Sequence, residues 1–462
     1  MTSTIRISAL ALVISAGWAL PAQAQSLDGG GVQQELAAMR AQMAAMAARI
    51  DTLEGQLTAA RAKADAASAA VAAIPVAAAP TATAKPATEI TWDGAPKLTA
   101  PGGWSFKPRG RMQVDTAGVD APPGIAGSTS LGVATEFRRI YLGFEGTMPG
   151  GFGYRAEADV ANSGVDLTDV YFTYKASPKL TITLGQHKPF QSMEDVTSDL
   201  YTSFMERAAF NSGFGFERRV GLSATYAGKD VLVQGGVFTD NAADLNSDAN
   251  NSYSFDGRLV YMPKIGAGQL HIGASAHVRD FNDISATARY RVRPFVHTTD
   301  LRLIDTKAFS ATGERALGAE FAYISGRFHA TAEAQWMTAF RPGLADPTFN
   351  GGYAELGYLL TDDATAYKGG QYDRIRPKHP VGKGGIGALQ LNLRYDWLDL
   401  NSGAIIGGRQ QIAGLSAVWI PTDYVRFIAN YGHIWINDAA IPAGALRKYT
   451  ANALGVRAQF DF

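Results

Sequence analysis

The sequence predicts an all-β fold, a 16-stranded antiparallel transmembrane β-barrel preceded by an N-terminal coiled-coil helix. The composition indicates this first, because 18% of the 462 residues are charged, 10% are aromatic and 50 are glycine, a balance typical of membrane strands with aromatic girdles. Apolar and polar residues also alternate with period two from Trp104 to the C-terminus. Beyond the N-terminus no stretch is apolar enough for a membrane helix, so spanning a membrane would require a closed barrel.

Residues 1–24 have the features of a secretory signal peptide. Arg6 supplies the positive charge, residues 7–20 the apolar stretch, and Ala22-Gln23-Ala24 the cleavage site with small residues. Because the apolar stretch is short for a bilayer span, we expect it to be removed. The alternative is a short N-terminal membrane anchor.

A heptad pattern predicts a periplasmic coiled coil over residues 25–74. Apolar residues recur with 3-4 spacing through six heptads, which favours a left-handed coiled coil. The pattern weakens to alanine in its second half and does not define the number of helices, although a trimer is compatible with it. The a positions are Leu36, Met43, Ile50, Leu57, Ala64 and Val71, and the d positions are Val32, Met39, Met46, Leu53, Ala60, Ala67 and Ile74.

Residues 75–101 are rich in alanine, proline and threonine. With prolines at 75, 80, 86, 96 and 101, we expect a semi-extended linker without helix or strand.

Residues 102–462 form the predicted barrel. In the last strand Leu454 and Val456 alternate with Arg457 and Gln459, and the chain ends on Phe462. A soluble β-sandwich is the alternative, but so many strands with one polar and one aromatic-rich face favour a barrel. The predicted strands lie near 104–117, 136–146, 152–161, 167–176, 179–187, 219–227, 230–239, 253–262, 269–279, 315–325, 327–339, 350–361, 387–399, 409–420, 423–436 and 448–462.

Three long insertions interrupt this pattern. An even strand number places both barrel termini on the periplasmic side, so residues 188–218 and 280–314 fall on the extracellular side. Both are long enough to enter the lumen. Residues 362–384 would be periplasmic, which is long for that side.

An arginine row lies in the second insertion, at Arg289, Arg291 and Arg293. In an extended backbone these alternate side chains share one face. Three like charges on one face are stable where water or an anion offsets their repulsion. The row is therefore either part of a solvated loop or an anion path.

Several motifs, in order along residues 104–462, resemble those of the phosphate-selective porins of the O and P type. The resemblance implies a trimeric 16-stranded outer-membrane channel with arginines lining an eyelet and its approach. The motifs are Phe106-Lys107-Pro108-Arg109-Gly110-Arg111, Phe137-Arg138-Arg139 with Tyr141, Phe204-Met205-Glu206-Arg207, Tyr290-Arg291-Val292-Arg293-Pro294, and Arg394-Tyr395-Asp396-Trp397.

Arginine suits an anion path because its planar group offers several donors to phosphate or carboxylate. Strict alternation would turn Arg138 towards lipid, so we expect it at the aqueous rim or at a bulge that turns it inward. The resemblance assigns pore-lining or anion-binding roles to Arg111, Arg138, Arg139, Tyr141, Asp169, Ser198, Arg207, Arg289, Arg291 and Arg293.

The function predicted is passive diffusion of small anions such as phosphate across the bacterial outer membrane. Acidic residues in the first insertion favour a mixed or organic-acid channel as the alternative among pores; they are Glu194, Asp195, Asp199, Glu206 and Glu217. Another alternative is an envelope tether whose coiled coil binds the cell wall. We expect small anions, outer-membrane lipid and two further copies of the chain as partners, with peptidoglycan or a periplasmic protein as a candidate partner of the coiled coil.

Composition and motifs argue against other classes. The net charge of zero, from 42 basic and 42 acidic residues, gives no indication of nucleic acid as a partner. The absence of cysteine excludes thiolate metal sites and thiol catalysis. The seven histidines are scattered and no HExxH or GxSxG motif occurs, so we expect neither an enzyme nor a bound cofactor or metal.

Overall fold

The structure is a computed structural model that describes residues 29–72, 88–125, 131–245, 251–283 and 286–462. The predicted signal peptide lies outside the described residues. The chain divides into two units, one within Met1–Ala84 and one within Lys85–Phe462. Within the described ranges, no helix has the length and apolar character needed to cross a membrane.

The described part of the first unit is a 44-residue helix, α1 (Gly29–Ala72), which agrees with the predicted helix. Apolar side chains at its heptad positions are more than half exposed. An exposed apolar seam on an isolated helix is unfavourable unless a partner covers it. The exposed residues are Met43, Met46, Ile50, Leu53 and Leu57.

The second half of the predicted linker differs from the expectation, because it forms a hairpin of strands Glu89–Asp93 and Ala95–Ala100. Gly94 makes the tight turn with a φ of 76°, a left-handed conformation that glycine adopts without steric cost. Pro96 is tolerated because it lies in a short strand near the edge. Leu98 pairs with Phe106 and extends the sheet at the start of the barrel.

The second unit contains a closed barrel of 16 antiparallel strands, as predicted, and each strand overlaps one predicted segment. Strand β16 pairs with β1 and closes the barrel. The strands are β1 (Trp104–Asp120), β2 (Ala134–Met148), β3 (Phe152–Asp159), β4 (Asp166–Lys175), β5 (Leu180–His187), β6 (Arg219–Ala227), β7 (Val231–Phe238), β8 (Tyr253–Tyr261), β9 (Gly268–Asp280), β10 (Gly313–Ser325), β11 (Phe328–Phe340), β12 (Thr348–Leu359), β13 (Ala388–Ser402), β14 (Ile405–Thr422), β15 (Val425–Asn437) and β16 (Tyr449–Asp461).

The alternation in sequence becomes an apolar outer wall and a polar inner wall. In β16, Leu454 and Val456 are exposed outside while Arg457 and Gln459 are buried inside. At the terminal end, defined as the end where β1 begins and β16 finishes, outward aromatic residues form the girdle typical of a membrane interface. These residues are Trp104, Phe152, Tyr174, Tyr226, Tyr261, Phe328, Tyr358, Trp419, Phe427 and Phe460.

Three insertions fill part of the lumen. The constriction loop (188–218) joins β5 to β6 and carries α2 (Met193–Val196) and α3 (Ala209–Phe214). The upper loop (281–312) joins β9 to β10 at the same end. The terminal-end segment (360–387) joins β12 to β13 at the opposite end, as the strand count predicted.

Shorter strand pairs shape two of these insertions. In the upper loop, Thr287–Ala288 pairs with Phe309–Ser310 and Arg291–Val292 pairs with Ile304–Asp305. The terminal-end segment contains the small hairpin of Tyr367–Lys368 and Gln371–Tyr372, and a further short strand, Lys264–Ile265, pairs with β9.

Candidate functional site

An open cavity of about 870 Å³ lies between the inner wall of β1–β7 and the constriction loop. Its lining is mainly polar, and basic side chains outnumber acidic ones. The basic residues are Arg109, Arg111, Arg138, Arg139, Arg155, Lys188, Arg207 and Arg218, and the acidic ones are Asp169, Asp195, Asp199 and Glu217. Basic side chains therefore exceed acidic ones along the lining itself. Behind the lining, Glu145, Glu157 and Glu206 pair with Arg155, Arg109 and Arg138.

Arg138 reaches this cavity through a bulge. The pairing of β1 with β2 passes from Gln113↔Arg139 to Val114↔Phe137 and leaves Arg138 as the extra residue. Phe137 points outward, whereas Arg138 and Arg139 both point inward. The bulge expected from the sequence therefore turns two consecutive arginines to the lumen.

Asp199 of the constriction loop lies between two wall arginines. Its Oδ2 accepts from Arg139 Nε at 2.8 Å, and its Oδ1 pairs with the Arg111 guanidinium. Tyr141 supports this cluster, since the Arg111 guanidinium lies 4.5 Å above its ring. Burial alone would raise the pKa of Asp199, but the charges of Arg111 and Arg139 outweigh it and hold the pKa well below its usual range. Asp199 is therefore an anionic bridge.

A second acidic side chain, Asp169 on β4, is also shared between two arginines. Arg218 Nε approaches its Oδ1 at 2.6 Å and Arg155 approaches its Oδ2 at 3.5 Å. The predicted residue Asp169 thus lines the cavity as part of an ion-pair network.

The constriction loop adds two further cations and a hydroxyl to the lining. Lys188 Nζ lies 3.0 Å from Asp195 Oδ1. Burial, together with the charge of Arg207, lowers the pKa of Lys188 to about 8. Arg207 donates to the carbonyl oxygens of Glu194 and Thr197, and the predicted residue Ser198 borders the same cavity.

A smaller cavity of about 140 Å³ lies beneath the upper loop. Arg291 and Arg293 line it together with Arg302. Burial and the charges of Arg293 and Arg291 lower the pKa of Arg302 to about 10. Arg138 and Arg207 line both cavities. A run of arginines therefore connects the upper loop to Arg111 and Arg139, the bridged arginine pair that shares Asp199.

The arginine row follows the predicted alternation. Arg289 and Arg291 are exposed, whereas Tyr290 and Val292 are buried in the hydrophobic core above the constriction loop. Arg289 was expected to line the anion path, but the structure places it elsewhere. It forms an ion pair with Asp305 and lies outside both cavities.

Buried carboxylates fix the two short helices of the constriction loop. Glu333 of β11 accepts from the backbone N–H groups of Met193 and Glu194, each at 2.8 Å. Asp396 of β13 accepts from the N–H of Ala209 at 2.7 Å. These groups satisfy the first N–H donors of α2 and α3 and attach the helical parts of the loop to β11 and β13, opposite the β1–β7 wall.

The terminal-end segment supports the constriction loop from the other side. Arg374 pairs with Asp461 and lies 5.3 Å above the ring of Tyr201. The N–H of Tyr372 donates to Thr197 Oγ1 at 3.3 Å. Both contacts join the segment to the tip of the loop that borders the cavity.

Sequence reasoning missed several cavity-lining residues. Arg109 lies two residues before Arg111, and Arg155 lies two residues before Glu157. Each pair therefore shares the inward face of its strand, and strand alternation alone could have identified Arg109 and Arg155. Arg302 offered no such signal because it lies in irregular structure and approaches Arg291 and Arg293 only through the turn of the upper loop.

A 16-stranded membrane barrel with a loop folded against its polar lumen defines the porin class of outer-membrane channels. The model of the family "Phosphate-selective porin O and P" matches residues 106–462. The chain belongs to this family. It is an outer-membrane channel protein and not an enzyme.

The chain is similar to one curated relative and to several solved barrels. An uncharacterized protein of Caulobacter vibrioides (strain ATCC 19089 / CIP 103742 / CB 15) is 43% identical over 477 residues, covering 100% of this chain and 96% of its own. Among solved structures, the trimer form of the outer membrane protein OmpT of Vibrio cholerae has a TM-score of 0.51 at 11% identity, over 78% of this chain and 100% of its own. The anion-selective porin from Comamonas acidovorans has a TM-score of 0.50 at 13% identity, over 78% and 100%. At these identities the two structures share the fold.

Proposed function

We propose that the channel favours small anions, which enter beneath the upper loop and pass between the β1–β7 wall and the constriction loop. The supporting observation is the excess of basic side chains along the two cavities that share Arg138 and Arg207. Rings of one charge sign set the preference of a channel for ions of the opposite sign. The solved anion-selective porin of similar fold is consistent with this proposal.

In this proposal Arg291, Arg293 and Arg302 attract anions at the mouth. Arg138 and Arg207 relay them to Arg139 and Arg111, with Tyr141, Asp169 and Ser198 completing the narrow part. Arg289 has a minor role because it lies outside both cavities.

The test is the zero-current potential of the purified protein in a planar bilayer that separates two concentrations of potassium chloride. We expect the sign that corresponds to chloride permeating faster than potassium. A cation-selective channel, or a folded barrel that never conducts, would contradict the proposal.

Small organic acids are the alternative substrates, and the carboxylates in the narrow part of the cavity favour them over tightly bound phosphate. Asp195 and Asp199 already occupy positions beside basic groups, which limits the charge available to a multivalent ion. Inhibition of the chloride current by phosphate, compared with acetate and succinate, separates these substrates. Stronger inhibition by phosphate would favour a phosphate channel.

We also infer that α1 forms a coiled coil that joins three barrels, because its exposed apolar residues follow the heptad spacing. Substituting Ile50 and Leu53 with aspartate in the full chain should shift the helical signal to a lower melting temperature. An unchanged signal would contradict the coiled coil. Sedimentation with purified peptidoglycan tests the other role, a tether to the cell wall, and binding would support it.

A further inference from the structure

The bridged arginine pair of the narrow part holds a ligand that belongs to the chain itself. The Asp199 carboxylate contacts Arg139 through one oxygen and Arg111 through the other. A free oxyanion held between two guanidinium groups would take the same arrangement. Asp199 also borders the open cavity, so an anion in the cavity can reach the same two cations.

Neighbouring contacts hold this carboxylate in place. The carbonyl oxygen of Leu200, the next residue, accepts from Arg426 Nη1 at 2.6 Å and from Gln459 Nε2 at 3.2 Å. Arg426 and Gln459 lie on β15 and β16, which are rigid parts of the wall. The backbone beside Asp199 is therefore fixed to the barrel, and its side chain remains directed at the β1–β2 arginines.

We propose that Asp199 is a tethered counter-anion that occupies the anion-binding position of the constriction, so that permeating anions compete with it and pass without being retained. The inference rests on the proposed function, because it concerns the ion that the same cations would bind. The channel would then favour oxyanions of carboxylate type, which it binds weakly and exchanges quickly. Asp199 would be the residue that sets the affinity of the constriction for these anions.

The physical reason is effective concentration. A group held beside its partner by a short tether is present at a local concentration of millimolar or higher, and a fixed geometry increases this value. A dissolved anion must exceed that local concentration before it replaces the carboxylate. Removing the charge of Asp199 exposes the donors of Arg139 and Arg111 that it occupied to dissolved anions. Arg111 keeps its contact with Glu157 at 3.7 Å, and Arg139 keeps its hydrogen bond to Gln113 Oε1 at 2.9 Å and the nearby charge of Glu206.

The experiment compares the wild type with Asp199→Asn in planar bilayers. We expect the chloride conductance of the wild type to rise in proportion to salt concentration, and that of Asp199→Asn to saturate because chloride now occupies the pair. Inorganic phosphate should inhibit the chloride current of Asp199→Asn at a concentration about tenfold or more below that needed for the wild type.

Two matched variants separate the bridge from a general change of charge. Glu217→Gln removes the same charge at the mouth of the same cavity, where Glu217 is exposed. It should increase anion preference slightly and leave the conductance proportional to salt. Asp199→Glu retains the charge on a longer side chain and should behave like the wild type, because its carboxylate still reaches the arginines.

The outcomes distinguish the inference from the proposed function. Unsaturated conductance and unchanged phosphate inhibition in Asp199→Asn would overturn the inference while leaving the anion channel intact. A wild type that prefers cations would overturn the proposed function, whatever the variant does. If Asp199→Asn fails to fold, saturation of the wild-type conductance at low chloride would itself overturn the inference.

Discussion

The two halves of the lumen use the same residue types for different purposes. In the packed half, towards β8–β16, Arg394 has two carboxylate partners, Glu194 and Glu355, each at 2.6 Å. Its guanidinium also lies 4.4 Å above the ring of Phe204 and 4.6 Å above that of Tyr353. In the open half, towards β1–β7, Arg139 and Arg111 share Asp199 at the border of a cavity.

The difference lies in how completely carboxylates and protein surround each cation. Arg258 of the packed half shows the same pattern as Arg394, because its guanidinium pairs with Glu320 and donates to the carbonyl of Gly370. A fully enclosed arginine is required by its buried carboxylates, because its removal would leave them without a counter-charge. An arginine that faces water and shares its counter-charge remains available to a mobile ion.

The largest expected effect is on stability, in the packed half. Arg394→Ala leaves Glu194 and Glu355 buried beside each other without their cation, which should lower the free energy of unfolding by about 3–5 kcal/mol. Urea unfolding of the barrel in detergent micelles measures this. The control is Arg291→Ala, which removes an exposed arginine and should change the free energy by no more than about 0.5 kcal/mol. Equal decreases of the free energy of unfolding in the two variants would contradict the distinction between the two halves of the lumen.

The next effect is on ion selectivity, in the open half. Changing Arg291 and Arg293 to glutamate should lower the anion-to-cation permeability ratio by at least about tenfold. A unit charge roughly 7 Å from the path contributes on the order of 0.6 kcal/mol in water, and the two reversals together change four charges, about 2.4 kcal/mol before salt screening reduces it. Zero-current potentials measure the ratio. Arg289→Glu reverses one charge in the same row but outside both cavities, so its ratio should stay near that of the wild type. A similar drop in both variants would mean that the effect is not specific to the path.

The smallest effect concerns pH. Burial lowers the pKa of Lys188 to about 8, so Lys188 is charged below this pH and neutral above it. Anion preference should therefore fall about twofold to threefold as the pH rises through 8. Lys188→Arg keeps its charge over this range and should abolish the change. A decrease that persists in Lys188→Arg would assign the titration to another group.

The sequence was sufficient to predict the barrel, because the pattern that identifies each strand lies within that strand. Period-two alternation identifies each strand without knowledge of its neighbours, and all 16 predicted segments overlap observed strands. The inward turn of Arg138 was also predictable, since alternation placed it on the wrong side unless a bulge intervened.

The lumen was less predictable because its contacts join distant parts of the chain. Asp199 meets Arg111 across 88 residues of sequence, and Arg374 reaches Asp461 across 87. The composition of residues 188–218 indicated that acids were present there, but no local pattern indicated which arginines they would neutralise. The hairpin at 89–100 was missed because the proline count of the whole linker outweighed the strand-forming residues Ile90 and Trp92 next to Gly94.

The division of the lumen itself can be measured directly, because the chain has no cysteine and single cysteines can be introduced without background. Thr183→Cys places a thiol on the open cavity, and Ser416→Cys places one at a buried position of β14. With a negatively charged thiosulfonate reagent added during bilayer recording, we predict rapid reaction and a reduced current for Thr183→Cys and no change for Ser416→Cys. Equal rates at the two positions, or block only through Ser416→Cys, would contradict a conduction path along the β1–β7 wall.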